Sequence, residues 1–251
     1  MDIKFDQHFL NSPKTLILES KLADINKEDI IFEIGPGDGR LSKELLFMKP
    51  KKLISIETDE NLKDKLIEIE KENPNFEWKI GNGLEEMQNF KFNKLVTNLP
   101  YSITEPLYIK ILENKIPFCL LLHGITFYKI IMDPKNKWHY FVNAFYDIEA
   151  IKEIPGNTFE PPTKTMSILL ILKLKKTKEK CDIFFQTLYN KKERNSQNAL
   201  IYTLVDLGKT KKEAKELILK KELNDNIKNK KIINLSNEEF LEIVKIIKEI
   251  N

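Results

Sequence analysis

Ile30-Ile31-Phe32-Glu33-Ile34-Gly35-Pro36-Gly37-Asp38-Gly39 is a short apolar run that breaks into a glycine-rich loop. Arg40-Leu41-Ser42-Lys43-Glu44-Leu45-Leu46 follows at helical spacing. Strand, glycine loop and helix in that order open a nucleotide-binding α/β unit. Glycines let the backbone come close to a ligand, because no Cβ intervenes. The Gly-x-Gly-x-Gly spacing is tighter than the G-x-G-x-x-G of dinucleotide folds, and the absence of a following Lys-Ser/Thr excludes a P-loop. The next apolar run, Lys52-Leu53-Ile54-Ser55-Ile56-Glu57, ends in a carboxylate. It lies about 20 residues beyond the loop, where an acid accepts ribose hydroxyls. A nucleoside cofactor without a pyrophosphate fits this arrangement, and S-adenosyl-L-methionine is such a cofactor.

Further along, Lys94-Leu95-Val96-Thr97 runs into Asn98-Leu99-Pro100-Tyr101. This reads as a turn at the carboxyl end of a buried strand, the place where open α/β sheets bind ligands. An Asn oxygen and a backbone carbonyl held by Pro100 aim two acceptors at one point, and Tyr101 adds a flat face. Two acceptors and a platform suit a planar group that carries an NH₂, such as the exocyclic amine of adenine. Asn-x-Pro is also an ordinary turn signal; the glycine loop with Glu57 tips the reading towards chemistry.

Taken in order, these motifs resemble the rRNA adenine dimethyltransferase family, whose members include small-subunit enzymes, erythromycin-resistance methylases and mitochondrial transcription factor B. The resemblance is carried by His8-Phe9-Leu10, Glu33–Gly39, Ile56-Glu57, Gly81-Asn82-Gly83-Leu84 and Asn98–Tyr101. Phe5-Asp6-Gln7-His8-Phe9-Leu10 is similar to the family's Gln-Asn/His-Phe-Leu segment, which lies over the cofactor. Phe159-Glu160-Pro161-Pro162-Thr163-Lys164 resembles its Phe-x-Pro-x-Pro-Lys turn. The likeness spans roughly residues 5 to 174 and, more loosely, the C-terminal part.

The resemblance implies S-adenosyl-L-methionine held by His8, Leu10, Gly35, Pro36, Gly37, Gly39, Glu57, Thr58, Asn82, Gly83 and Asn98. It implies catalysis by Asn98, Leu99, Pro100 and Tyr101, and a target base held between Tyr101 and Phe159. Asn82 and Gly83 stand where the family has Asp-Ala, and an amide oxygen there can still accept from the cofactor's adenine amine. His123–Tyr128 replaces a Gln-x-Glu segment, and Lys137-Trp138-His139-Tyr140-Phe141 replaces Tyr-Gly-x-Leu-Ser. Lys191–Gln197 is less basic than the Arg-rich helix start of the family. The implied substrate is adenine N6 in small-subunit rRNA or a pre-ribosomal particle. A protein side-chain nitrogen as acceptor, or a non-catalytic nucleic-acid-binding role, are the alternatives that the altered segments leave open.

Composition bounds these readings. A chain of 251 residues can bury a real core and forms one or two domains. Lys and Arg number 41 against 38 Asp and Glu, a net charge of +3. That permits RNA binding through a local patch and does not demand it. No apolar run reaches the length of a membrane span and no secretory signal precedes the motifs, so a cytoplasmic protein away from membranes is expected, acting as a monomer. Cys119 and Cys181 cannot by themselves form a disulfide framework, and no metal site is expected.

The expected fold is α/β: a Rossmann-like, doubly wound, mainly parallel sheet of the class I methyltransferase type, with a small C-terminal helical domain. Strands are expected at 30–34, 52–57, 76–80, 93–97 and 117–122, and helices at 39–48, 60–72 and 104–113. Residues 138–148 and 166–174, aromatic and β-branched, are expected to complete the sheet as an antiparallel hairpin. The charged run Lys175–Lys180 marks a boundary, giving a methyltransferase domain over 1–176 and a helical domain over 177–251. Helices are expected there at 181–190, 194–206, 210–219 and 236–250, the last opened by the capping box Ser236–Glu239. Ser12 and Pro13 are expected to start the first helix. His123 reads as structural more readily than as a site residue. Trp138–Phe141 reads as sheet core, with a stacking platform as the sharper alternative. The lysines between 209 and 221 read as a solvated face, or, more sharply, an RNA-facing stripe.

Overall fold

The computed structural model describes residues 7–221 and 223–250. Phe5 and Asp6 of the N-terminal motif lie outside the described residues. Contacts divide the chain into two compact units. One holds the residues up to Tyr128 together with Asp147–Leu174; the other holds Lys129–Tyr146 and the residues from Lys175 onward.

The first unit alternates strand and helix. In chain order it contains β1 (Phe9–Leu10), α1 (Pro13–Leu22), β2 (Ile30–Ile34), α2 (Arg40–Phe47), β3 (Lys52–Glu57), α3 (Lys63–Glu72), β4 (Phe76–Ile80), α4 (Gly83–Glu86), β5 (Lys94–Asn98), α5 (Thr104–Asn114) and β6 (Phe118–Gly124). α6 (Ile125–Met132) and α7 (Lys137–Phe145) then lead to β7 (Tyr146–Ile154), β8 (Phe159–Glu160) and β9 (Ser167–Leu174). Seven strands form one sheet in the order β4-β3-β2-β5-β6-β9-β7. The β4-to-β6 portion is parallel, and β9 runs antiparallel to β6. Strands buried on both faces need continuous apolar runs. Ile31, Phe32, Leu53, Leu95, Cys119 and Leu121 meet that need with no more than 0% exposure. Strand order reverses between β2 and β5, which makes their carboxyl ends a topological switch point.

Helix starts follow local chemistry. Ser12 Oγ accepts from the Thr15 N–H at 3.3 Å, with Pro13 at the first helical position, as the sequence predicts. Gly39 enters α2 at φ +81°, a left-handed conformation that a side chain resists, and a Cβ there meets Ile69 of α3.

The expectation of a strand over residues 138–148 is wrong. Residues 137–145 form α7, and only Tyr146–Ile154 is extended. Two local signals decide it. Asn136 Oδ1 caps the helix by accepting from the Trp138 N–H at 3.0 Å. Trp138, Phe141, Val142 and Phe145 recur at helical spacing and are all buried. The aromatic content that suggested a strand is spent on one helix face. The edge of the sheet is instead completed by β7 and β9.

The second unit is helical: α7 with α8 (Lys180–Tyr189), α9 (Ser196–Asp206), α10 (Lys211–Leu219), α11 (Asp225–Asn229) and α12 (Asn237–Ile250). Phe141 packs edge-on against Tyr189 and Phe240 at 5.1 and 5.0 Å between ring centres. The Trp138–Phe141 stretch is therefore helix core, at the separations aromatic pairs prefer. The capping box forms as expected: Glu239 N–H donates to Ser236 Oγ at 3.2 Å, and Ser236 N–H to Glu239 Oε2 at 2.8 Å. The lysines at 209, 211, 212, 215 and 220 are exposed on and around α10. Among the described residues no helix is long and apolar enough to cross a membrane.

Candidate active site

A cleft of about 520 Å³ opens at the switch point of the first unit, within the range of small-molecule sites. Every residue that the sequence nominates for cofactor or base lines it, apart from Gly39, which is set back at the start of α2. One wall is the β2–α2 loop with the end of β3, another is the turn after β5, and the N-terminal segment with Phe159 completes the lining.

The first wall is built around Glu57. Its Oε2 accepts from the Gly37 N–H at 2.9 Å, and its Oε1 accepts from the Thr58 and Asp59 N–H groups at 2.8 Å each. Burial raises its pKa in spite of these three bonds. A carboxylate offers four lone-pair positions. Three are occupied, so Glu57 has room for one ribose hydroxyl at full strength, where the sequence suggests a role for both. Gly37 adopts φ +62°, and a Cβ on it falls 2.8 Å from the Phe9 ring, so the loop closes against the N-terminal segment only because this residue is glycine. Beneath the loop, Glu33 is buried and accepts from Ser42 and Ser55 hydroxyls at 2.7 and 2.6 Å. Burial pushes its pKa up to about 7, against the pull of these hydroxyls and with a further rise from Glu57.

Asn82 lines the cleft and also caps α4: its Oδ1 accepts from the Leu84 N–H at 3.0 Å and its Nδ2 donates to Glu85 at 2.9 Å. One lone pair of Oδ1 is left for a ligand. Gly83 is confined, since a Cβ would lie 2.6 Å from Ile34.

The second wall is the Asn98–Tyr101 turn. The Leu99 N–H donates to the Leu122 carbonyl at 2.9 Å, which fixes the peptide, and among the described residues no backbone donor reaches the Leu99 carbonyl. Pro100 sets the direction of that carbonyl at φ −56°. The Tyr101 hydroxyl bonds with Ser167 Oγ at 2.8 Å and donates to the Thr165 carbonyl at 3.3 Å. Its ring lies on Gly124, where a Cβ would come within 3.0 Å. A ring held at its hydroxyl and along one edge is a rigid platform.

The third part is a pairing of two short strands that sequence reasoning did not find. β1 pairs antiparallel with β8, placing Leu10 opposite Phe159. His8 Nδ1 bonds with the Pro161 carbonyl at 2.7 Å, and Gln7 Nε2 donates to Asp59 at 3.1 Å. The Gln7–Leu10 segment is thus tied to Phe159–Pro161 on one side and to the end of β3 on the other. Strands of two residues carry no periodicity; the signal was the presence of both motifs in one family pattern.

His123 is structural. It is fully buried, and Nδ1 bonds with the Gly124 carbonyl at 2.9 Å, which requires Nδ1 to carry the proton. Nε2 then accepts from the Tyr108 hydroxyl at 3.1 Å. Burial lowers its pKa to about 4, so it is neutral near pH 7.

The family model described as ribosomal RNA adenine dimethylase matches residues 1–249. The chain belongs to the ribosomal RNA adenine dimethylase family. It is a methyltransferase of the S-adenosylmethionine-dependent class I type. A Methanococcus aeolicus protein named probable ribosomal RNA small subunit methyltransferase A is 30% identical over 94% of this chain and 93% of its own length. A Methanopyrus kandleri protein of the same name is 27% identical over 96% and 90%. Among solved structures, a dimethyladenosine transferase from Plasmodium falciparum shares the fold with a TM-score of 0.64 at 20% identity, covering 96% of this chain and 98% of that one. The 23S rRNA methyltransferase ErmE does so with a TM-score of 0.62 at 18% identity, covering 96% and 99%.

Proposed function

We propose that this dimethylase-family chain transfers methyl groups from S-adenosyl-L-methionine to the exocyclic N6 of adenine in small-subunit rRNA, using the first unit as its catalytic domain. The observation that carries the reading is the arrival of the Asn98–Tyr101 turn in the same cleft as Glu57 and the glycine loop. A nucleoside fits the first wall: Glu57 keeps one open lone pair for a ribose hydroxyl, and Gly37 leaves the backbone close and bare. Asn82 offers its remaining lone pair to the adenine amine of the cofactor. When bound, S-adenosyl-L-methionine supplies an electrophilic methyl group on a sulfonium.

The chain's own residues do the positioning. Asn98 Oδ1 and the Leu99 carbonyl accept the two N–H groups of the target amine. With both hydrogens held in the ring plane, the nitrogen lone pair is turned towards the methyl group. Tyr101 stacks on one face of the base and Phe159 closes the other. Transfer between two aligned partners needs little acid–base help, because the nitrogen releases its proton after attack, and alignment supplies much of the rate. The base must leave its stack to enter the cleft, as for other enzymes that act on bases.

The test is to incubate the protein with methyl-labelled cofactor and cell extract and to divide the label between RNA and protein. Label in small-subunit rRNA supports the reading. Label confined to a protein band would mean that the altered 123–141 stretch has re-targeted the fold.

A further inference from the structure

Ser167 opens β9 and is fully buried. Among the described residues its hydroxyl has one partner, the hydroxyl of Tyr101 at 2.8 Å. The Tyr101 hydroxyl also reaches the Thr165 carbonyl at 3.3 Å. Ser167 faces Gly124 across the β6–β9 ladder. Gly124 is the residue on which the Tyr101 ring lies, and a Cβ there would fall 3.0 Å from the ring. One rung of the ladder thus supplies both the floor under the ring and the anchor at its hydroxyl.

The three groups fix the direction of this chain of hydrogen bonds. A carbonyl only accepts, so the Tyr101 proton goes to Thr165. The Tyr101 oxygen is then an acceptor, and the Ser167 hydroxyl is its donor. The reverse order, with Tyr101 donating to Ser167, would leave a buried serine proton without an acceptor, at a cost in free energy. Thr165 belongs to the turn after β8, which is bonded to itself. The Thr163 N–H donates to the Gly156 carbonyl at 3.0 Å, and the Thr165 N–H to Thr163 Oγ1 at 3.1 Å. Phe159 lies between Gly156 and Thr163 in the chain. The Ser167–Tyr101–Thr165 chain therefore joins the ring on one face of the proposed base slot to the segment that carries the ring on the other.

We propose that Ser167 is a positioning residue for methyl transfer: by donating to the Tyr101 oxygen it directs the Tyr101 proton to Thr165, and so holds the Tyr101 ring in fixed relation to the segment bearing Phe159. The inference rests on the reading of these two rings as the faces of the base slot. Tyr101 spends its proton and an acceptor position on this chain, and meets the base with its ring face. Without Ser167 the ring keeps its floor at Gly124 and loses one of the two ties at its hydroxyl. A base held between two rings is sensitive to their spacing, since a misplacement of about 1 Å can cost about 10²-fold in rate.

The test measures single-turnover methyl transfer to small-subunit rRNA by the full chain, as a cycle of Ser167→Ala, Tyr101→Phe and the double variant. Ser167→Ala should lower the rate by about five- to tenfold, part of the loss that misplacing a reacting group brings. Its cofactor dissociation constant should stay within about twofold of the wild type, because the slot acts on the other substrate. In the Tyr101→Phe background the same Ser167→Ala change should alter the rate by less than about twofold, because the hydroxyl through which Ser167 acts is gone. Tyr101→Phe leaves the buried Ser167 hydroxyl unpaired, so the double variant should melt no lower than Tyr101→Phe. Equal losses from Ser167→Ala in both backgrounds would mark a packing role and overturn the proposal, as would wild-type turnover in Ser167→Ala or a double variant that melts below Tyr101→Phe.

A second readout needs no substrate. In protein carrying ¹³C-labelled tyrosine, the ring resonances of Tyr101 should shift in Ser167→Ala. If the wild type itself puts no methyl on RNA, the functional reading fails, while unchanged Tyr101 ring resonances in Ser167→Ala overturn the positioning role on their own.

Discussion

The two walls of the cleft are held in opposite ways. On the cofactor wall, one carboxylate gathers three backbone N–H groups at 2.8 to 2.9 Å and ties the glycine loop to the end of β3. On the acceptor wall, the bond from the Leu99 N–H to the Leu122 carbonyl at 2.9 Å fixes the turn backbone, and what faces the cleft is one side-chain amide, that of Asn98, and one peptide carbonyl. Binding a nucleoside tolerates a wall that is over-determined, since the same contacts serve folding and affinity. Transferring a methyl group depends on the aim of a few atoms, and few contacts set it. Substitutions on the first wall should therefore change affinity and stability together, while those on the second should change turnover with affinity spared.

The largest effect is expected at Asn98. Asn98→Ala should lower single-turnover methyl transfer by about 10²-fold or more, on the scale of losing one positioned polar group in other active sites. Calorimetry should find cofactor affinity within about threefold of wild type, since the contact acts mainly in the transition state. An equal loss of affinity and turnover would erase the distinction between the walls.

Next comes Glu57. Glu57→Ala removes a ribose acceptor and leaves the N–H groups of Gly37, Thr58 and Asp59 without their partner. Cofactor binding should weaken by about 1–3 kcal/mol, the usual cost of unpaired polar groups. The melting temperature should fall in the absence of any ligand, which separates this residue from one that only touches the cofactor.

The buried acids predict how stability depends on pH. Glu19 has its pKa raised to about 8 and Glu33 to about 7, burial being the main cause in each. In the unfolded chain a glutamate titrates near 4.3, so between about pH 5 and pH 8 the folded chain holds protons that the unfolded chain has released. Stability should therefore fall as pH rises through that window. Thermal melts at pH 6 and pH 8.5 should show the lower midpoint at pH 8.5, and Glu19→Met should flatten the slope. A flat wild-type profile would mean that these carboxyls are better solvated than the structure shows.

The smallest effect is expected at Asn82. Asn82→Asp strengthens the acceptor by adding charge, but sets a carboxylate beside Glu85, to which Asn82 now donates at 2.9 Å. The two changes oppose each other, and the cofactor dissociation constant should move by less than about threefold. A tightening of tenfold would show that the adenine contact outweighs the cap.

Much of this site was legible in the residues. Gly35–Gly39, Glu57 and Asn98–Tyr101 each follow an apolar run, and a parallel sheet brings the ends of such runs to one edge. What was not legible depended on partners distant in sequence. The pairing of Leu10 with Phe159 joins two-residue strands that have no period to read. Residues 138–148 were misread because aromatic content was weighed above the spacing of Trp138, Phe141, Val142 and Phe145 and above the cap at Asn136. Glu19 carries no signal in the sequence; only the fold shows that it is buried. Glu57 ends its strand and lines the cleft, but its three backbone donors come from the loop geometry and reduce what it can offer a ribose.

The central claim is that Asn98 presents adenine N6 of small-subunit rRNA to a methyl donor. The direct measurement is a single-turnover reaction of wild type and Asn98→Ala with labelled S-adenosyl-L-methionine and purified small-subunit rRNA or particles, followed by digestion to nucleosides and chromatography. The account predicts label in N6-methylated adenosine for the wild type and its loss in the variant, with cofactor binding intact in both. Label in any other nucleoside, or equal labelling by the two proteins, would contradict it.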